Sequence, residues 1–326
     1  MSAAAKPEPP LSSGLGALMI VMTLLGWSSV PLFLHYFKDF IDVWTSNGWR
    51  YGFSALLWAP VLIIAAHRKR LPAGLWRAAL VPSLVNATGQ VFFAWAFYII
   101  EPGLVTFGLR SQIIFAAIGA YLMFPGERRV ITSPGYLIGG VIVLIGTSGA
   151  ILLGEKAVDL THALGITCAI GSGLLFAFYG LAVRKYMRGI NSVLAFAAIS
   201  QYTALVMVVL MMLIGERAGM GVVNVTGEQF AWLLISAVAG IALGHVFYYM
   251  SIARLGVAVS AGVLQLQPFG VAIGSYYFFS EVLTTAQWIS GCTAVTGAIL
   301  MLGVQRWITK KRVDSGLAMA EGKAGV

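Results

Sequence analysis

The chain has 326 residues, 59% of them hydrophobic and 10% charged, with a mean hydropathy of +0.87. Soluble domains carry about 25% charged residues, so a water-wetted globular surface is excluded. The formal charge of +9 lies in short clusters between apolar runs, such as His67-Arg68-Lys69-Arg70, Arg128-Arg129, Arg184-Lys185 and Lys310-Lys311-Arg312. That is the pattern of loops held on one side of a bilayer and not of a nucleic-acid-binding face.

Residues 1–13 are polar and proline-bearing and read as a cytoplasmic tail. The apolar run from Leu15 to Leu34 is too long for the core of a cleavable signal and reads as a first span. About 20 apolar residues cross the hydrocarbon core. On that measure spans are predicted at 14–34, 44–66, 77–98, 102–124, 132–153, 161–183, 194–214, 229–251, 257–279 and 286–305, an all-α integral membrane fold. Two turns are very short. Pro102 suits the first turn of a helix after 99–101, and Arg254-Leu255-Gly256 supplies polar and flexible residues at 252–256. Residues 306–326 are predicted as a basic cytoplasmic tail.

The charges test the count. Gaps 35–43, 99–101, 154–160, 215–228 and 280–285 hold only Lys38, Lys156 and Arg217. Arg50 and Arg110 lie within spans, and the other sixteen Lys and Arg occupy the tails, the alternate gaps and, for Arg77, the first position of the third span at the end of such a gap. By the positive-inside rule both termini are cytoplasmic, in a multi-pass protein of the cell (inner) membrane. The sequence also repeats. Gly103, Gln112 and Glu127 fall opposite Gly256, Gln265 and Glu281 at nearly constant spacing, and Gly16 and Trp27 fall opposite Gly165 and Phe176. The repeats are 14–153 and 161–305. Five spans each makes the second half enter from the opposite side, as in many secondary transporters.

Ten spans in two inverted halves, with Trp27-Ser28-Ser29, Trp49-Arg50-Tyr51, Gly126-Glu127-Arg128 and Ser280-Glu281, resemble the drug/metabolite transporter superfamily, in particular its EamA-type members. The resemblance covers about residues 14–305 and implies export or exchange of a small organic metabolite. Pro268 fits the family's proline about thirteen residues before the closing glutamate, whereas the first half has Ile114 there. Arg110-Ser111-Gln112 is unusually polar for the family.

A charge inside a membrane costs from about 3 to above 10 kcal/mol, so such residues are functional candidates. Arg110, about 12 Å into its span at 1.5 Å per residue, is read either as a fork for a substrate carboxylate or phosphate or as a structural arginine on freed carbonyls. Thr106 lies one turn before it. Arg50 is shallower, within snorkelling reach of the interface. Ser83, Asn86 and Gln90 form a stripe that faces either a cavity or a helix seam. His245 couples protons or is a neutral hydrogen-bonded histidine, while Tyr248 and Tyr249 read as interface aromatics. Ser260 and Gln267 share a face of the ninth span. Trp27 and Tyr179 either stack on an organic solute or simply pack. Pro31 and Pro268 free the carbonyls of Trp27 and Leu264.

Cys168 and Cys292 read as small apolar residues, and no metal or other cofactor is expected. No phosphate-binding Gly-x4-Gly-Lys-Ser/Thr loop and no hydrolase motif is present. The sequence therefore points to a secondary transporter, not an enzyme, for an anionic or zwitterionic metabolite such as an amino acid. Toxic-cation efflux, an intramembrane enzyme and a channel are the alternatives, and a homodimer is left open.

Overall fold

The computed structural model describes residues 13–153, 159–255, 260 and 263–324. The first helices are α1 (Ser13–Phe37), α2 (Val43–His67) and α3 (Leu75–Ile99). The fourth span is split into α4 (Pro102–Leu109) and α5 (Gln112–Met123), followed by the short α6 (Arg128–Ile131) and by α7 (Pro134–Leu152). The second half has α8 (Leu160–Tyr186), α9 (Ser192–Ile214), and an eighth span built from α10 (Gly227–Ser236), a π-helical segment (Ala237–Leu243) and α11 (Gly244–Leu255). It ends with α12 (Gln267–Phe279) and α13 (Thr285–Ala324). Among the described residues, nine helices are long and apolar enough to cross a membrane. The predicted ninth span is described only at 260 and from 263 onward. Its start, with Gly256, lies outside the described residues, as do residues 1–12 of the tail and Lys156.

The helix starts follow from local chemistry. The Asp42 carboxylate accepts from the amides of Trp44 and Thr45, each at 3.0 Å. Asn191 caps α9 through Val193 and Leu194, and Thr226 and Gln229 cap α10 reciprocally. These groups satisfy amides that a helix end leaves open. The last helix differs from expectation. Apolar character ends near 305, yet α13 runs on to Ala324, because the Lys-, Arg-, Met- and Ala-rich continuation is built of good helix formers.

Helix pairing links the halves. α7 packs on α13 and α2 on α9; α3 packs on α8 as α1 packs on α11; α5 packs on α8 as α1 packs on α12. This pattern maps onto itself when the two sets of spans are exchanged. Small residues allow the closest approaches. A Cβ on Gly244 would stand 2.5 Å from Trp27 Nε1, and one on Gly270 would stand 2.7 Å from Ser28 Oγ, so both neighbours of α1 present glycine to it. Large apolar side chains such as Leu56, Ile145 and Leu213 point outward, as lipid contact requires.

Candidate solute-binding site

Three interruptions of regular helix meet around α1. Between α4 and α5 the bonding tightens. Arg110 N–H donates to the Phe107 carbonyl and Ser111 N–H to the Gly108 carbonyl, three residues back instead of four. The same tightening precedes α12, where Leu266 N–H donates to Val263 and Phe269 N–H to Leu266. No proline is needed at the first break; Ile114 occupies the family's proline position and the helix is interrupted all the same. The third interruption is the π-helical segment, which widens the turn opposite Trp27. Such departures inside spans mark hinges and functional positions.

The two carbonyls freed by proline are both caught here. Arg110 Nη1 donates to the Leu264 carbonyl at 3.1 Å, and Arg110 Nη2 donates to Gln267 Oε1 at 2.9 Å. Gln267 Nε2 donates to the Trp27 carbonyl at 2.7 Å, and Trp27 Nε1 donates to the Gly240 carbonyl at 3.1 Å. One polar chain therefore ties α1, the α4–α5 break, the start of α12 and the π-helical segment. Arg110 Nε, Ser111 Oγ and Gln265 Oε1 are buried beside these breaks with no hydrogen-bond partner. Unsatisfied buried polar atoms are costly, about 1–3 kcal/mol each.

Aromatic rings flank the chain. Trp27 lies 5.1 Å, centroid to centroid, from both His245 and Tyr248, and His245 stacks on Phe196 at 4.9 Å with 14° between planes. Tyr179 and Tyr249 bring their hydroxyls to 3.4 Å, and Tyr248 is within electrostatic reach of Arg110. Trp27, Arg110, Tyr179, His245, Tyr248 and Tyr249 keep partial exposure though they sit within spans. Tyr248 and Tyr249 thus belong to this cluster rather than to an interface belt, because α11 turns them toward α1, α8 and α9.

Other expected residues are placed elsewhere. Arg50 does not snorkel: it is 1% exposed and its Nε donates to Ser236 Oγ at 2.9 Å, since α10 closes over α2. Thr106 is fully buried and its hydroxyl is held by its own helix, 2.9 Å from the carbonyls of Pro102 and Gly103. The polar stripe of α3 divides. Ser83 and Asn86 face α9, with Asn86 Nδ2 donating to Thr203 Oγ1 at 3.1 Å, a helix seam; Gln90 stays half-buried. Ser260 is occupied by Ser251 at 2.7 Å. His245 Nδ1 lies 3.1 Å from the Ile241 carbonyl, its own preceding turn. Sequence reasoning missed Phe196 and the Gly240 carbonyl; neither carries a signal outside its packing. Among the described residues no group of His, Cys, Asp and Glu is arranged to hold a metal.

No curated protein matches the chain by sequence. A solved structure, described only as a crystal structure of a protein, superposes with a TM-score of 0.61 at 16% identity, covering 91% of this chain and 99% of that one. At that identity the likeness speaks for the fold alone. The family model of the EamA-like transporter family matches twice, over residues 14–152 and 163–303, one match for each set of spans. With most of its length so matched, the chain belongs to the EamA-like transporter family.

Proposed function

We propose that this membrane transporter moves a small anionic or zwitterionic organic metabolite by alternating access, as an exporter or exchanger, with both termini in the cytoplasm. The observation that carries the reading is Arg110. Its guanidinium sits where two helix breaks meet, and its Nε is buried without a partner. A carboxylate offers the planar pair of acceptors that a guanidinium fork matches. The Trp27, Tyr248 and Phe196 rings supply apolar faces for the organic body of the solute. In this reading Arg110 exchanges the Leu264 carbonyl and the Gln267 amide for solute oxygens, which couples occupancy to the contact between the two halves.

The test is counterflow in liposomes with a panel of amino and organic acids, after a thermal-shift screen on purified protein. Arg110→Gln is expected to weaken the best acid by about ten- to a hundredfold, the size of a charge-assisted hydrogen bond worth about 1.5–3 kcal/mol. Unchanged transport would remove the anion site. A second reading, efflux of an organic cation, draws on the same aromatic rings. The fixed positive charge of Arg110 opposes it, and cations stabilising the protein in the screen would favour it.

A further inference from the structure

Outside the solute site, two ion pairs stand at opposite ends of the bundle, and both join the same kinds of element. At one end His35 Nε2 lies 3.2 Å from Glu281 Oε1; at the other Arg184 Nη1 pairs with Glu127 Oε1. His35 closes α1 and Arg184 closes α8, the first span of each half. They are 149 residues apart, the same spacing that sets Gly16 opposite Gly165 and Trp27 opposite Phe176. Glu127 and Glu281 follow α5 and α12, the second pieces of the two interrupted spans. The aromatic partner is repeated as well. Arg184 lies over the Phe124 ring at 4.2 Å, and the His35 ring meets Phe279 edge-on at 4.8 Å. A basic residue, a glutamate and a phenylalanine therefore recur as a set on each membrane face.

The two sets differ in one respect that decides their chemistry. Arginine is charged at every physiological pH, whereas histidine, with an ordinary pKa of about 6.5, is not. His35 Nδ1 lies 3.2 Å from the Phe97 carbonyl, which needs a proton on Nδ1. Nε2 then has two partners with opposite demands. Lys38 Nζ, at 2.9 Å, needs its lone pair, and Glu281 needs its proton. Neutral His35 satisfies the first and imidazolium the second, so one proton selects between two arrangements. The other charges facing His35 are Asp39 beyond the end of α1 and Glu101 at the start of α4; Glu228 of the neighbouring α10 is turned to Trp232 Nε1.

We propose that His35–Glu281 and Arg184–Glu127 are reciprocal gate latches, and that the His35 latch is a proton-binding site that keeps the extracytoplasmic gate shut only while His35 is protonated. The inference rests on the alternating-access reading and on the placement of His35 at the lysine- and arginine-poor face. Beneath the His35 latch lies an apolar plug of Val30, Leu34, Phe97, Val105 and Cys168. The Cys168 side chain, 2% exposed, reports on that plug, because opening the gate wets it.

The experiment uses Cys168 as the single thiol, in a Cys292→Ser background, and measures its rate of modification by a membrane-impermeant methanethiosulfonate added outside. Every rate is divided by that of the His35→Arg variant at the same pH, which removes the pH dependence of thiolate chemistry. Near pH 5.5 the ratio for the otherwise native chain is expected to be close to one, and near pH 8 about tenfold higher. His35→Gln is expected to react fast at both pH values. Glu127→Gln, which frees the opposite gate, is expected to slow Cys168. A ratio that stays flat with pH while Glu127→Gln still slows Cys168 overturns the proton latch and leaves alternating access standing. A pH-dependent ratio with no response to Glu127→Gln overturns the reciprocal latches together with the alternating-access reading.

Discussion

The two arginines buried among the helices face the same cost and meet it differently. Arg50 lies in the unbroken α2, is 1% exposed, and has a neutral hydroxyl, Ser236, as partner of its Nε, while its Nη2 is buried without one, as Arg110 Nε is. Arg110 lies at a helix break, keeps partial exposure, and bonds a carbonyl and an amide oxygen that both sit at the start of α12. Arg50 therefore fastens α2 to the end of α10 and has no surface left for a solute. Arg110 is held by a carbonyl and an amide oxygen, which a solute replaces in the proposed function. A buried charge inside a membrane marks a function only when its partners are exchangeable; otherwise it marks a fixed joint.

Mutations sharpen this comparison. Arg50→Ala has the largest expected effect, a loss of about 3 kcal/mol or more of stability in detergent, since it leaves a large void between α2 and α10 and removes the bond to Ser236, whose hydroxyl keeps only the Leu233 carbonyl. Thermal unfolding monitored by tryptophan fluorescence would register it. If Arg110→Gln destabilised the protein as much, the distinction between joint and site would fail; the expected change in unfolding is about 1 kcal/mol or less. Gln267→Leu removes the bridge between Arg110 and the Trp27 carbonyl. It is expected to cost about 1–2 kcal/mol and to weaken an acidic solute several-fold, read by titration of the purified protein. The smallest effect lies outside the membrane. Asp159 accepts from His162 N–H at 2.7 Å, and that backbone bond, with the His162 ring, holds its carboxyl below the usual range. A depressed folded-state pKa stabilises above the unfolded value of about 3.9 and loses its effect as pH falls through the folded one. The protection of the amides at the start of α8, measured against the exchange rate of an unfolded peptide at the same pH, is therefore expected to be unchanged from neutral pH to about pH 5 and to fall in stronger acid.

Much of the candidate site was legible in the chain. The cost of burying charge singled out Arg110, and the missing N–H of Pro31 and Pro268 named the Trp27 and Leu264 carbonyls as open acceptors before any partner was known. The repeat set Glu127 opposite Glu281. Helical period placed Asn86 and Gln90 on one stripe but left cavity and seam undecided, because period defines a face of a helix and not what lies against it. The depth estimate misjudged Arg50 for a related reason. Snorkelling distance is measured along a helix from its end, and nothing in that count says that α10 closes over it.

The sequence by itself determined most of the spans, the asymmetry of Lys and Arg between gaps, and the twofold repetition, since each follows from local hydropathy or spacing along the chain. Only the tertiary structure decided that Arg110 meets Gln267 and that Trp27 reaches Gly240. It also decided that Asn86 Nδ2 is spent on Thr203 and that the basic residue closing each first span meets a glutamate from the other half. Lipid is as apolar as the side chains it surrounds, so hydrophobicity does not choose which helices become neighbours. That choice is made by close packing at glycine and by polar groups that find partners only once the helices are assembled.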